Sequence, residues 1–141
     1  MNLLLNRAHS HHLHVVQSAL DTISRADVDH IVVTGDISNL SLDAEFSLAA
    51  SLFRELGDGR RLSVIPGNHD NYTYKSAREG TFERYFQEWM QSDLPEYQTD
   101  GHYPYVKCFE DACIIGLSSS VPTPPIWATG RVSTGQLSSL A

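Results

Sequence analysis

Long apolar runs are absent from this 141-residue chain. None approaches the roughly 20 residues that a membrane-spanning helix needs. Met1-Asn2-Leu3-Leu4-Leu5 is too short for the apolar core of a signal peptide, which takes about 7–15 residues. A cytoplasmic location is therefore expected. Positive charge is scarce too. Ten Lys and Arg stand against 17 Asp and Glu, giving a net charge of −7 and a pI near 5.3. A protein that coats nucleic acid shows the opposite balance, and the one basic doublet, Arg60-Arg61, reads as an exposed turn. An anionic substrate would have to be attracted by something other than Lys and Arg, and bound divalent metals do that locally. Internal repeats and low-complexity linkers are also missing. Hydrophobic residues nevertheless make up 41% and charged residues 19%, which excludes a disordered chain and leaves one globular domain over residues 1–141. The oligomeric state is not written in these numbers.

Cysteine is limited to Cys108 and Cys113. A tight turn at Glu110-Asp111 sets them opposite each other on two strands, where a cross-strand disulfide is geometrically allowed. The reading for a cytosolic protein is two reduced, half-buried thiols.

What is present follows a helix–strand alternation. Leu13, Val16, Leu20 and Ile23 recur at helical spacing within Ser10 to Arg25. Asp29 to Thr34 is almost continuously apolar, the pattern of a parallel strand covered on both faces. Leu42, Phe46, Ala49, Phe53 and Leu56 form one stripe of a second helix, with Ser41 as N-cap, Asp43 and Glu45 at its positive start, and Gly57 and Gly59 as its stop. Leu62 to Ile65 is the second strand. This is the grammar of a parallel sheet. A helix over Thr81 to Gln91 follows, with Phe82, Tyr85, Phe86 and Trp89 on one side as core. Tyr103 to Phe109 and Ala112 to Leu117 then read as a hairpin. Val121 to Pro125 is a stiff extended loop. Ser133 and Gln136 stand at capping-box spacing at the start of a last helix. A parallel sheet calls for a strand ahead of the first helix, and the last helix begins without finishing, so a fragment of a longer protein, or an N-terminal start placed too late, is expected.

Two loops carry the chemistry. Gly35-Asp36-Ile37-Ser38-Asn39 closes the first strand and Gly67-Asn68-His69-Asp70 closes the second. Asp36 and Asn68 are 32 residues apart, about one strand–helix–strand unit, which returns both loops to the edge where open α/β sheets bind ligands. Asp36 is a hard carboxylate ligand able to bridge two divalent metals, and Asn68 offers a neutral amide oxygen. His69 shuttles protons near neutral pH. Gly35 and Gly67 allow sharp turns, while Asn39 and Asp70 support loop hydrogen bonds or orient a ligand.

Gly35-Asp36 with Gly67-Asn68-His69-Asp70 resembles the calcineurin-like metallophosphoesterase superfamily, whose pattern is an Asp-x-His loop, a Gly-Asp loop, a Gly-Asn-His-Asp/Glu loop, a later His and a Gly-His-x-His loop. The likeness covers roughly Ser10 to Ala141, with Gly130 to Leu140 similar to the stretch that precedes the later histidines. It implies a partial α/β sandwich with parallel central strands followed by a β-hairpin. It implies a phosphodiester or phosphomonoester substrate and two divalent ions drawn from manganese, iron, zinc or cobalt. By the same likeness Asp36 bridges the metals, Asn68 binds one of them, His69 protonates the leaving oxygen, and a metal-bridging hydroxide attacks phosphorus in line. The Asp-x-His and Gly-His-x-His loops are not in the sequence, so the chain alone is expected to be inactive or nearly so. The competing reading is a catalytically inactive phosphate- or metal-binding module; a structural fragment without a site ranks last.

Other histidines read as ordinary. His9, His11, His12 and His14 form a solvated helix start, His30 caps the sheet edge, and His102 is a loop residue. The Pro124-Pro125-Ile126-Trp127 stretch stands open between a cleft wall and a packed surface loop.

Overall fold

The structure is a computed structural model that describes residues 13–124, 127 and 129–141. Part of the first helix expected from Ser10, together with His9, His11, His12, Pro125 and Ile126, lies outside the described residues. The element order is α1 (Leu13–Ser24), β1 (Ile31–Val33), α2 (Asp43–Leu56), β2 (Leu62–Val64), α3 (Tyr74–Glu79), α4 (Thr81–Phe86), β3 (Tyr105–Cys108), β4 (Cys113–Gly116) and α5 (Thr134–Ser138). This is the mixed α/β arrangement expected. β1 and β2 pair in parallel, Ile31 opposite Leu62 and Val33 opposite Val64, and β3 and β4 form the antiparallel hairpin.

The core lies between α2, β2 and the α4 region. Phe46, Leu62, Val64, Phe82, Phe86, Trp89 and Met90 are fully buried. Phe46 meets Phe82 and Phe86 edge-to-face at 6.0 and 5.7 Å, the geometry that the ring quadrupoles favour. The Trp89 indole N–H, buried with the ring, donates to the Gly57 carbonyl at 2.9 Å. That bond joins the end of α2 to the turn beyond α4.

Several expectations change in detail. β1 is three residues long and not covered on both faces: Val32 is 44% exposed. An apolar run records burial tendency but not how many sheet neighbours a strand has. On the second helix, Leu42 is exposed and Ala50 is buried in the core, while Ala49 is only partly buried. Ser41 does not cap that helix. Leu42 is the N-cap, and the Glu45 carboxylate accepts its N–H at 3.0 Å. The expected helix over Thr81 to Gln91 is α-helical only to Phe86 and tightens to a 3-10 turn over Gln87–Trp89. Phe82, Phe86 and Trp89 still share one buried face. The short α3 was not foreseen. Thr73 caps it by accepting the Ser76 N–H at 3.0 Å, and Gly80 ends it in the left-handed conformation. Arg61 does not sit in an open turn with Arg60; its guanidinium donates to the Ser24 and Ala26 carbonyls at the end of α1. Cys108 and Cys113 face each other as expected but are exposed, not half-buried. Ser133 caps α5 by accepting the Gln136 N–H at 3.1 Å, as the capping-box spacing predicts.

The hairpin packs back onto β2 through one buried phenol. Tyr105 O–H donates to the Val64 carbonyl at 2.9 Å, and its ring lies over Gly116, where an added Cβ would stand 2.2 Å from the ring. Burial pushes the Tyr105 phenol up to about 12 from its ordinary 10, and burial raises Tyr103 in the same direction. A raised folded-state value means that the folded chain holds its proton longer than the unfolded chain does. This contribution to stability is present below about pH 10 and is lost as the pH rises through about 12. Alkaline titration of tyrosinate absorbance should show a class that ionises only with unfolding. Tyr105→Phe should remove one late-titrating residue and cost about 1–3 kcal/mol for the orphaned carbonyl. Ionisation of every tyrosine near the free value in a folded chain would contradict the packing described.

Candidate functional site

Parallel pairing brings the ends of β1 and β2 side by side, and the two following loops touch backbone to backbone. Gly35 has φ +96, and a Cβ there would stand 2.0 Å from the Gly67 nitrogen. A Cβ on Gly67 would stand 2.3 Å from Asp36 Oδ1. Only glycine allows either approach. Asp36 itself has a positive φ of 55, a conformation that short polar side chains tolerate best.

Asp70 holds the junction. Its side chain is fully buried. Oδ1 accepts the Ser38 N–H at 2.8 Å and lies 3.0 Å from the Ser38 hydroxyl. Oδ2 accepts the Gly67 N–H at 2.9 Å and the Ile37 N–H at 3.3 Å. Burial raises the Asp70 carboxyl above the usual range, and these donors pull the other way. With both oxygens committed to hydrogen bonds within the two loops, Asp70 ties the loops together rather than facing outward. The other supporting residue, Asn39, acts through its main chain: its N–H donates to Glu45 Oε1 at 3.2 Å and its carbonyl accepts from His69.

Three residues face out of this frame. Asp36 is exposed, and its Oδ1 accepts the His69 N–H at 3.1 Å, so Oδ2 is unspent among the described residues. Asn68 is exposed, and its side-chain amide makes no hydrogen bond among the described residues. His69 Nδ1 lies 3.0 Å from the Asn39 carbonyl. A carbonyl only accepts, so Nδ1 carries a proton and Nε2 is the nitrogen left to act. The imidazole also stacks on Tyr72, with centroids 5.7 Å apart and planes inclined by 16°. A cavity of about 910 Å³ opens beside Asp36 and His69, walled by Val16, Leu20, Leu48 and Phe53.

Sequence reasoning missed the residues that brace this arrangement. Ser41, at φ 57, donates its hydroxyl to the His69 carbonyl at 2.8 Å and accepts the Tyr72 N–H at 2.8 Å. Glu45 accepts the N–H groups of Asn39, Leu40 and Leu42. Ser120, in the segment after β4, donates to the Gly67 carbonyl at 2.6 Å and accepts from Asn71 Nδ2 at 3.1 Å. Ser41 and Ser120 signal themselves only as small hydroxyl residues, which also fit helix caps and turns, and Glu45 reads only as an acidic residue at a helix start.

The outward donors suit a hard divalent cation: a carboxylate oxygen and an amide oxygen, neither used by the fold. No group of three or more His, Cys, Asp or Glu that could hold a metal ion is gathered among the described residues. His30 lies apart, bridging the two strands through the Arg60 carbonyl and the Ser63 hydroxyl. His102 is in the loop before the hairpin, as expected. Trp127 is 70% exposed. Among the described residues no helix is long and apolar enough to cross a membrane.

No curated protein and no solved structure gives a significant match to the chain. The family model described as calcineurin-like phosphoesterase matches residues 9–129, a span that holds both loops. With that match over most of its length, and with the Gly-Asp and Gly-Asn-His-Asp loops locked together at the strand ends, the chain belongs to the calcineurin-like phosphoesterase family.

Proposed function

We propose that this chain carries one part of a metal-dependent phosphoesterase centre, with Asp36 and Asn68 as metal ligands and His69 as the proton donor to the leaving oxygen. The observation that supports it most is the division of labour between neighbours: Asp70 spends both oxygens on the frame, while Asp36 and Asn68 keep donor atoms free on its outer side. Divalent ions of the manganese, iron, zinc or cobalt kind, two in a complete centre, would supply Lewis-acid stabilisation of charge developing on a phosphate ester. The acidic chain needs such ions to attract an anionic substrate. His69 has its own task. The Asn39 carbonyl fixes the ring by taking Nδ1–H in both protonation states, so Nε2 can release a proton to a leaving oxygen without the ring turning. The Asp36 bond to the His69 N–H fixes the backbone beneath that ring.

A second reading has its own support. Two outward oxygen donors hold an ion weakly, and they fit a module that binds phosphate or metal without turnover. For the same reason, this chain by itself is expected to hydrolyse feebly, and full turnover is assigned to the centre with its whole donor set.

Manganese binding followed by electron paramagnetic resonance, paired with hydrolysis of bis(p-nitrophenyl) phosphate and p-nitrophenyl phosphate, tests both readings. Asp36→Ala and Asn68→Ala should each weaken manganese binding. His69→Ala should leave binding intact and, in a longer version of the chain that carries the family's further Asp and His loops, lower kcat by about 10²–10⁴-fold. Binding without any hydrolysis in the folded longer version would leave the binding module. Manganese binding indifferent to Asp36 and Asn68 would overturn the assignment of the ligands.

A further inference from the structure

The exposed end of the β3–β4 hairpin carries a pair of groups that the phosphoesterase reading does not use. Cys108 and Cys113 are directly opposite each other. The Phe109 N–H donates to the Ala112 carbonyl at 2.8 Å across the turn, which makes 109 and 112 a hydrogen-bonded pair and 108 and 113 a non-hydrogen-bonded one. The Cys108 N–H accordingly points away from β4 and donates to Asp93 Oδ2 at 2.9 Å. In such pairs the Cα atoms stand about 4.5 Å apart, within the roughly 4.4–6.8 Å that disulfides span. The thiols already touch, Sγ to Sγ at 3.5 Å, and both are exposed.

We propose that Cys108 and Cys113 form a two-electron dithiol–disulfide site, oxidised within the chain by a small disulfide such as glutathione disulfide. One cysteine thiolate attacks a sulfur of the oxidant. The oxidant's S–S bond breaks, and one glutathione leaves as the thiolate, which takes up the proton that the attacking thiol gave up. The second cysteine, deprotonated in its turn, attacks the mixed disulfide at the first cysteine's sulfur and expels the second glutathione. Two protein thiols are oxidised, and one glutathione disulfide is reduced to two glutathiones. The second step is favoured because its partner sulfur is in contact and needs no backbone movement. Single exposed thiols stop at the mixed disulfide; this pair continues.

Intact-mass measurement of the reduced chain equilibrated with glutathione disulfide tests the site. The expected product is a monomer lighter by two hydrogen atoms, with both thiols lost to alkylation. Cys113→Ser, a change at an exposed position, should instead stop at a glutathione adduct on Cys108. Accumulation of glutathione adducts on the parent chain, disulfide-linked dimers, or survival of both thiols would each overturn the proposal.

Discussion

Asp70→Ala is expected to cost about 3–5 kcal/mol of folding stability, a large share of what a small domain has. The side chain is fully buried, and it satisfies three backbone N–H groups and lies within bonding distance of the Ser38 hydroxyl. Alanine leaves those donors in a cavity without acceptors, and each orphan costs about 1–3 kcal/mol. Relief from burying a carboxylate offsets part of that loss, because burial already raises this carboxyl and the charge is costly there. Asp70→Asn separates the two effects. It preserves volume and one acceptor oxygen, removes the charge, and presents an NH2 group to backbone donors, so it should fall between the parent and the alanine variant. Urea midpoints with unchanged slopes are the measurement. An alanine midpoint equal to the parent's would mean that Asp70 does not hold the loops.

Gly35→Ala should cost at least about 3 kcal/mol and weaken manganese binding as well. Two penalties coincide here. The backbone has φ +96, and the new Cβ would stand 2.0 Å from the Gly67 nitrogen and 2.6 Å from the Pro66 carbonyl carbon. Those are main-chain atoms and cannot swing aside as a side-chain tip can. The loops must part, and the parting separates Asp36 from Asn68. Gly80→Ala isolates the conformational term: Gly80 has φ +57, and its added Cβ would meet only Glu83 Oε2, at an ordinary 3.6 Å. That variant should lose about 1–2 kcal/mol, the left-handed penalty alone. Equal losses at the two positions would show that the loop contact contributes nothing.

Much of the site was legible because the sequence concentrates its signal there. Glycine at a forced close approach, followed by donor residues, is a local pattern, and Gly35-Asp36 and Gly67-Asn68-His69-Asp70 lie together in space as their spacing indicates. The hairpin and the Ser133 cap were legible for the same reason: alternation and capping are short-range rules. What escaped depends on contacts between distant segments. Ser41 looks like a helix cap until one sees that its hydroxyl reaches the 69–72 turn. The exposure of Val32 depends on how many strands flank β1, and the exposure of the cysteines on what covers the hairpin. The α3 helix has end signals in Thr73 and Gly80 but no apolar stripe between them, so periodicity did not show it.

The shared acceptor at Asp70 has a consequence for motion. Ile37 and Ser38 belong to one loop and Gly67 to the other, yet all three N–H groups end on one carboxylate. None of the three can meet solvent while that carboxylate stays seated. Its departure exposes all of them together. In hydrogen–deuterium exchange these amides should therefore share one opening free energy, although about thirty residues of chain separate Ser38 from Gly67.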